Sequence, residues 1–179
     1  MVSYVKAGHR QGPVIDLEIW PNKYNEYRNS KKSWTDFVYS HHSIKDADKN
    51  SIVLDRLGDE RAIGLPDKYH LIAPFGISQG YPRNPIDIIQ MAVKELGKEN
   101  IIILCPPEFK IDGLATYTAP SVEQMAKAIR DAEQFWAINS SPIVLANATR
   151  KGKETRFWGQ KNGFETDNCP PFEGLVHID

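Results

Sequence analysis

Cysteine is scarce in this chain: Cys105 and Cys169 are the only two among 179 residues. Neither a disulfide scaffold nor a four-cysteine zinc site can be assembled from them. An excess of charge of one sign is missing too. Lys and Arg number 22 against 23 Asp and Glu, a net charge of -1, so the lopsided field of a polyanion-coating protein or a DNA mimic is absent. The longest apolar run, Ile101-Ile102-Ile103-Leu104-Cys105, falls far short of the roughly 20 residues that span a bilayer. The opening residues, Met1-Val2-Ser3-Tyr4-Val5-Lys6, lack the apolar stretch of a secretory leader. The expectation is a soluble, cytoplasmic protein with no membrane partner.

What is present is the balance of an ordinary globular domain, 41% hydrophobic and 25% charged. Its length suits one core, so we expect a single α/β domain over residues 1–179. No repeat or low-complexity tract interrupts it. Residues 1–68 are polar, aromatic and irregular, 69–147 alternate regularly, and 148–179 again lack periodicity.

The middle stretch carries the fold signal. Tyr69 to Phe75 reads as a short strand with Pro74 at its end, since proline cannot donate to a ladder. After a loop, Asn84 sits at an N-cap and Pro85 at the first helical position, where its missing N–H costs nothing. Ile86, Ile89, Val93 and Leu96 recur at helical spacing, and Gly97 supplies the stop. The apolar run from Asn100 to Cys105, ended by Pro106-Pro107, reads as a strand buried on both faces. Ser121 and Gln124 have capping-box spacing; Val122, Met125, Ala126, Ile129, Phe135 and Trp136 continue that helix. Ser141 to Ala146 then reads as a third strand. The sum is a β-α-β-α-β core over 69–147, and the sheet is expected to be mainly parallel but mixed, flanked by helices. In front of it, Val14 to Trp20 alternates like a strand, Lys23 to Tyr39 suggests a helix, and Ser51–Leu54 with Arg61–Leu65 suggests a hairpin. Four to six strands are expected in all.

Ligands of open α/β sheets bind beyond the carboxyl ends of the strands, where helix N-termini present free N–H groups. On this reading three segments converge on one rim. The first holds Gly76, Ser78, Gln79, Gly80 and Arg83; backbone donors, the hydroxyl and the guanidinium could hold a phosphate or carboxylate. It matches neither the P-loop nor the dinucleotide fingerprint, and a plain surface turn reads the same way. The second holds Cys105, Glu108 and Lys110. Glu108 is the candidate catalytic acid or base, against the alternative of a solvated carboxylate. Cys105 reads as a small core hydrophobe, not a nucleophile. The third, Asn147 to Lys153, is basic, with Asn147 and Arg150 as candidate substrate-orienting residues or as solubilising charge.

Two further clusters attract a functional reading. His41-His42 lie near Asp46 and Asp48, but adjacent histidines point apart, so no metal site is expected. Residues 20–39 interleave Trp20, Tyr24, Tyr27, Trp34, Phe37 and Tyr39 with Lys23, Arg28, Lys31 and Lys32. That mixture is what stacking on a single-stranded nucleic acid requires, although packed aromatics with solvated cations fit the near-zero net charge better.

Three functions are compatible with these features. The first is a hydrolase or group transferase acting on a small anionic, nucleotide-like ligand at the rim; redox chemistry is disfavoured because the dinucleotide fingerprint is missing. The second is a non-catalytic binding or assembly protein, with a homo-oligomer compatible with the chain. The third is a nucleic-acid binder through 20–39. The sequence names no cofactor, and the fold by itself cannot choose among the three.

Overall fold

A computed structural model describes residues 24–30, 32, 37, 40–41, 57–75, 84–138, 140–158 and 173–178. Packing divides the chain into two compact units, Met1–Asp46 and Ala47–Asp179. In the first unit, helix α1 spans Tyr24–Ser30. Tyr27 and Phe37 are both buried there, with ring centroids 5.5 Å apart. The strand expected over 14–20 and the first hairpin arm at 51–54 lie outside the described residues.

The second unit holds the α/β architecture. Its elements run β1 (His70–Ala73), α2 (Pro85–Leu96), β2 (Ile101–Leu104), β3 (Ala115–Tyr117), α3 (Val122–Asp131), β4 (Gln134–Ala137), α4 (Ser141–Thr149), β5 (Thr155–Trp158) and β6 (Leu175–Ile178). The six strands form one sheet in the order β3-β2-β1-β4-β5-β6. Every pairing among the described residues is parallel, so the sheet is not mixed there as expected. This is the strand order of doubly wound dinucleotide-binding sheets; residues 105–114, between β2 and β3, depart from that pattern by forming turns and no helix.

Alternation along each strand builds two cores. Leu71, Ala73, Ile102, Leu104, Phe135, Ala137 and Phe157 face one side, against Ala128 and Ile129 of α3 and Ile143 and Ala146 of α4. Ile72, Ile101, Ile103, Cys105, Trp136 and Trp158 face the other, against Ile88, Ile89 and Ala92 of α2. A sheet covered on both faces needs strands apolar at every position, which explains the unbroken run in β2. Leu71, Ile72 and Ile103 are fully buried, each contributing about 1.5–3 kcal/mol of transfer free energy.

The caps fall where the sequence places them. Asn84 accepts the Ile86 N–H at 3.1 Å, and Gly97, at φ 75°, closes α2 by donating to Val93 O. The buried stripe of α2 is rotated from expectation, with Ile88 inside and Ile86 half exposed. Ser121 accepts the Gln124 N–H at 3.1 Å, but the Gln124 carboxamide does not complete the box. It accepts the Ile63 N–H at 2.8 Å instead, tying the 57–65 segment to α3.

Two expectations are corrected. The segment expected as a strand, Ser141–Ala146, is helix α4, and the strand is β4, Gln134–Ala137, whose Phe135 and Trp136 the helical pattern counts with α3. Ser140 and Pro142 are start signals, and Ile143 with Ala146 is a helical i, i+3 pair. A short apolar run, however, does not separate a buried strand from a buried helix. Arg61–Leu65 is no strand either; it forms a turn. Among the described residues, no helix is long and apolar enough to cross a membrane.

Candidate functional site at the carboxyl rim

The chain leaves β1 through α2 toward β2, yet β4 lies on the other flank of β1. The connections diverge there, so a crevice opens beyond the carboxyl ends of β1 and β4. A cavity of about 490 Å³ occupies that end of the sheet. Its wall is built at the ends of four strands: Ala73 and Phe75 at β1, Leu104 to Pro107 at β2, Thr118 and Ala119 past β3, and Ser140 to Pro142 past β4. Met125 of α3 completes it.

Among the described residues the wall is mostly apolar and carries no charged side chain. Phe75 stacks on Phe109, with centroids 4.9 Å apart and planes 30° from parallel, so the lip is a two-ring surface. The first turn of α4 contains no acidic residue, unlike those of α2 and α3, which hold Asp87 and Glu123. The positive end of the α4 dipole therefore faces the cavity without a carboxylate in its own first turn to neutralise it.

Cys105 is buried in the wall, its Sγ donating to Phe109 O at 3.4 Å. Burial first, and then the negative charge of Glu108, hold its thiol above the usual range. A thiol kept protonated is a poor nucleophile, which agrees with the core role expected of it. Glu108 itself is exposed, in the turn that Phe109 N closes onto Pro106 O at 3.1 Å. It stands beside the cavity and is not part of its lining.

The candidate residues of the first loop, Gly76, Ser78, Gln79, Gly80 and Arg83, lie outside the described residues. Those of the third segment are not at the rim. Because α4, and not a strand, precedes Arg150, the chain has run back to the amino end of the sheet before reaching it. Asn147 is buried in the last turn of α4. Arg150 is fully buried and donates to Ile129 O (2.8 Å), Ala132 O (2.7 Å), Glu133 O (3.4 Å), Glu154 O (2.9 Å) and Thr155 Oγ1 (3.2 Å). It satisfies the orphan carbonyls that end α3 and locks the starts of β4 and β5. Burial pulls its pKa down to about 10, so it remains a cation at neutral pH.

Sequence reasoning thus missed Thr118, Met125, Ser140 and the aromatic lip. The order of strands would have pointed to them, and that order is not written in any local pattern. Among the described residues, no group of three His, Cys, Asp or Glu is placed to hold a metal ion. His42, Asp46 and Asp48 lie outside those residues. Of the aromatics proposed to stack on nucleic acid, Tyr27 and Phe37 are buried. Comparison with protein-family models, curated proteins and solved structures returns no match.

Proposed function

We propose that the chain is a small enzyme, a hydrolase or group transferase, acting on an anionic nucleotide-like metabolite at the carboxyl rim. The observation that carries this reading is the cavity of about 490 Å³ at the switch point of a doubly wound parallel sheet. Small-ligand sites measure roughly 300–1,000 Å³ and favour that position. The apolar wall of Ala73, Phe75, Leu104 and Met125 suits a planar ring. The N-terminus of α4, with no carboxylate in its own first turn, suits a phosphate or carboxylate held at the mouth. Glu108, exposed beside the cavity, is the acid or base in this scheme.

A second reading is a non-catalytic binding protein, and one observation favours it: among the described residues the cavity wall contains no acid, base or histidine. Thermal unfolding with nucleoside mono- and diphosphates, sugar phosphates and dicarboxylates tests the site. A ligand at 100 times its Kd stabilises the fold by about 2.7 kcal/mol, a readily measured rise in Tm. Turnover of the stabilising compound establishes the enzyme, and stabilisation without turnover favours the binding protein. No shift with any member of the panel refutes the rim reading.

A further inference from the structure

Three polar side chains of the cavity wall commit their own protons to backbone carbonyls. Thr118 Oγ1 donates to the Cys105 carbonyl at 3.0 Å. Ser140 Oγ donates to the Ile138 carbonyl at 3.3 Å, and it makes no capping bond to the helix it precedes. Cys105 Sγ donates to the Phe109 carbonyl. A carbonyl has no proton to give, so the direction of each bond is fixed by its partner. A hydroxyl has one proton and two lone pairs. Once that proton is committed to the backbone, the oxygen can only accept. Among the described residues the lining holds no charged side chain, so at these two oxygens no charge compensates a ligand that brings lone pairs of its own.

We infer that Thr118 and Ser140 are specificity-determining acceptors, and that the part of the ligand entering the cavity is neutral and presents N–H or O–H donors to them. A carbonyl at the same place meets lone pairs with lone pairs. To accommodate it, Thr118 or Ser140 must turn its proton away and leave a backbone carbonyl without a donor. The anionic part of the ligand stays at the mouth, near the N-terminus of α4. This deepens the rim reading and rests on it.

Equilibrium binding of nucleotides that differ in the donor and acceptor pattern of one ring edge tests the assignment. The probes are adenosine, purine riboside and inosine 5′-monophosphates, which carry an amine, a hydrogen and a carbonyl at one carbon. Cytidine and uridine monophosphates form a second amine–carbonyl pair. Between the adenosine and purine riboside forms, which differ only in the amine, the expected affinity falls about 10- to 100-fold, the factor for one or two hydrogen bonds. Thr118→Val and Ser140→Ala each compress that ratio, whereas Thr118→Ser, which keeps the hydroxyl, restores it. Since Thr118→Val can loosen the fold by orphaning the Cys105 carbonyl, Ser140→Ala is the independent check. Equal or reversed affinities in the parent overturn the inference while leaving the rim site standing. A ranking unchanged in both Thr118→Val and Ser140→Ala overturns the assignment to these oxygens. Binding of none of the five refutes the nucleotide reading itself, and this inference with it.

Discussion

Replacing Arg150 by methionine should cost this fold about 3–5 kcal/mol. The side chain is fully buried, and its guanidinium feeds four backbone carbonyls and the Thr155 hydroxyl. Three of those bonds, to Ala132, Ile129 and Glu154, are 2.7–2.9 Å long. A buried acceptor left without its donor costs about 1–3 kcal/mol, so the three together expose roughly 3–9 kcal/mol. Part is recovered, because the variant no longer strips water from a cation, a penalty of several kcal/mol. The net loss is a large share of a typical ~5–15 kcal/mol stability. Urea unfolding followed by the fluorescence of the buried Trp136 and Trp158 reads it out. With a slope of about 2 kcal/mol per molar, the midpoint should fall by about 1.5–2.5 M. Arg150→Lys keeps the charge with fewer donors and should fall between. A methionine variant within about 0.5 M of the parent would show that these bonds contribute little, refuting the clamp argument. Because Arg150 lies at the far end of the sheet from the cavity, folded Arg150→Lys should bind rim ligands like the parent.

Four other outcomes rest on the same geometry. Tyr69 is buried, donates to Ala128 O at 2.7 Å, and has its pKa raised mainly by burial. Its stabilising contribution is complete below its ordinary value of 10.0 and is lost as pH rises through the folded-state value. Titration from pH ~9 to ~11 should therefore lower parent stability relative to Tyr69→Phe, by at most about 1.4 kcal/mol per pH unit. Arg150 contributes with the opposite sign above pH ~10, and comparing the two proteins cancels it; parallel pH profiles would contradict the burial of this phenol. Ile103→Asp places a charge at a fully buried position of β2 and should abolish cooperative melting, because an unpaired buried charge costs several kcal/mol. Gly174→Ala should lose about 1–3 kcal/mol in chemical denaturation, since φ is 89° and a Cβ would strike the Lys153 carbonyl. If the rim is catalytic, Glu108→Gln should lower turnover about 10²–10⁴-fold with ligand affinity little changed; an undiminished rate removes Glu108 as acid or base.

The sequence by itself determined the parts that depend on neighbours along the chain. Asn84-Pro85 and Gly97 bracket α2, Ser121 opens α3, and the unbroken Ile101–Leu104 run declares a strand covered on both faces. Alternation of such segments was enough for a parallel α/β sheet. Ser141–Ala146 marks where that reasoning stops, because a short apolar run fits a buried helix as well as a buried strand. One exchanged element then carried Arg150 from the expected rim to the opposite end of the sheet. Only the tertiary structure decided that a basic residue among Lys151 and Lys153 is fully buried on backbone carbonyls. The cavity belongs to the same class. Ala73, Leu104, Thr118 and Ser140 come from the ends of four strands, and the order β3-β2-β1-β4 brings them together. That order is set by where each crossover lays its strand against the whole sheet, a long-range packing choice with no signature in any window of the chain.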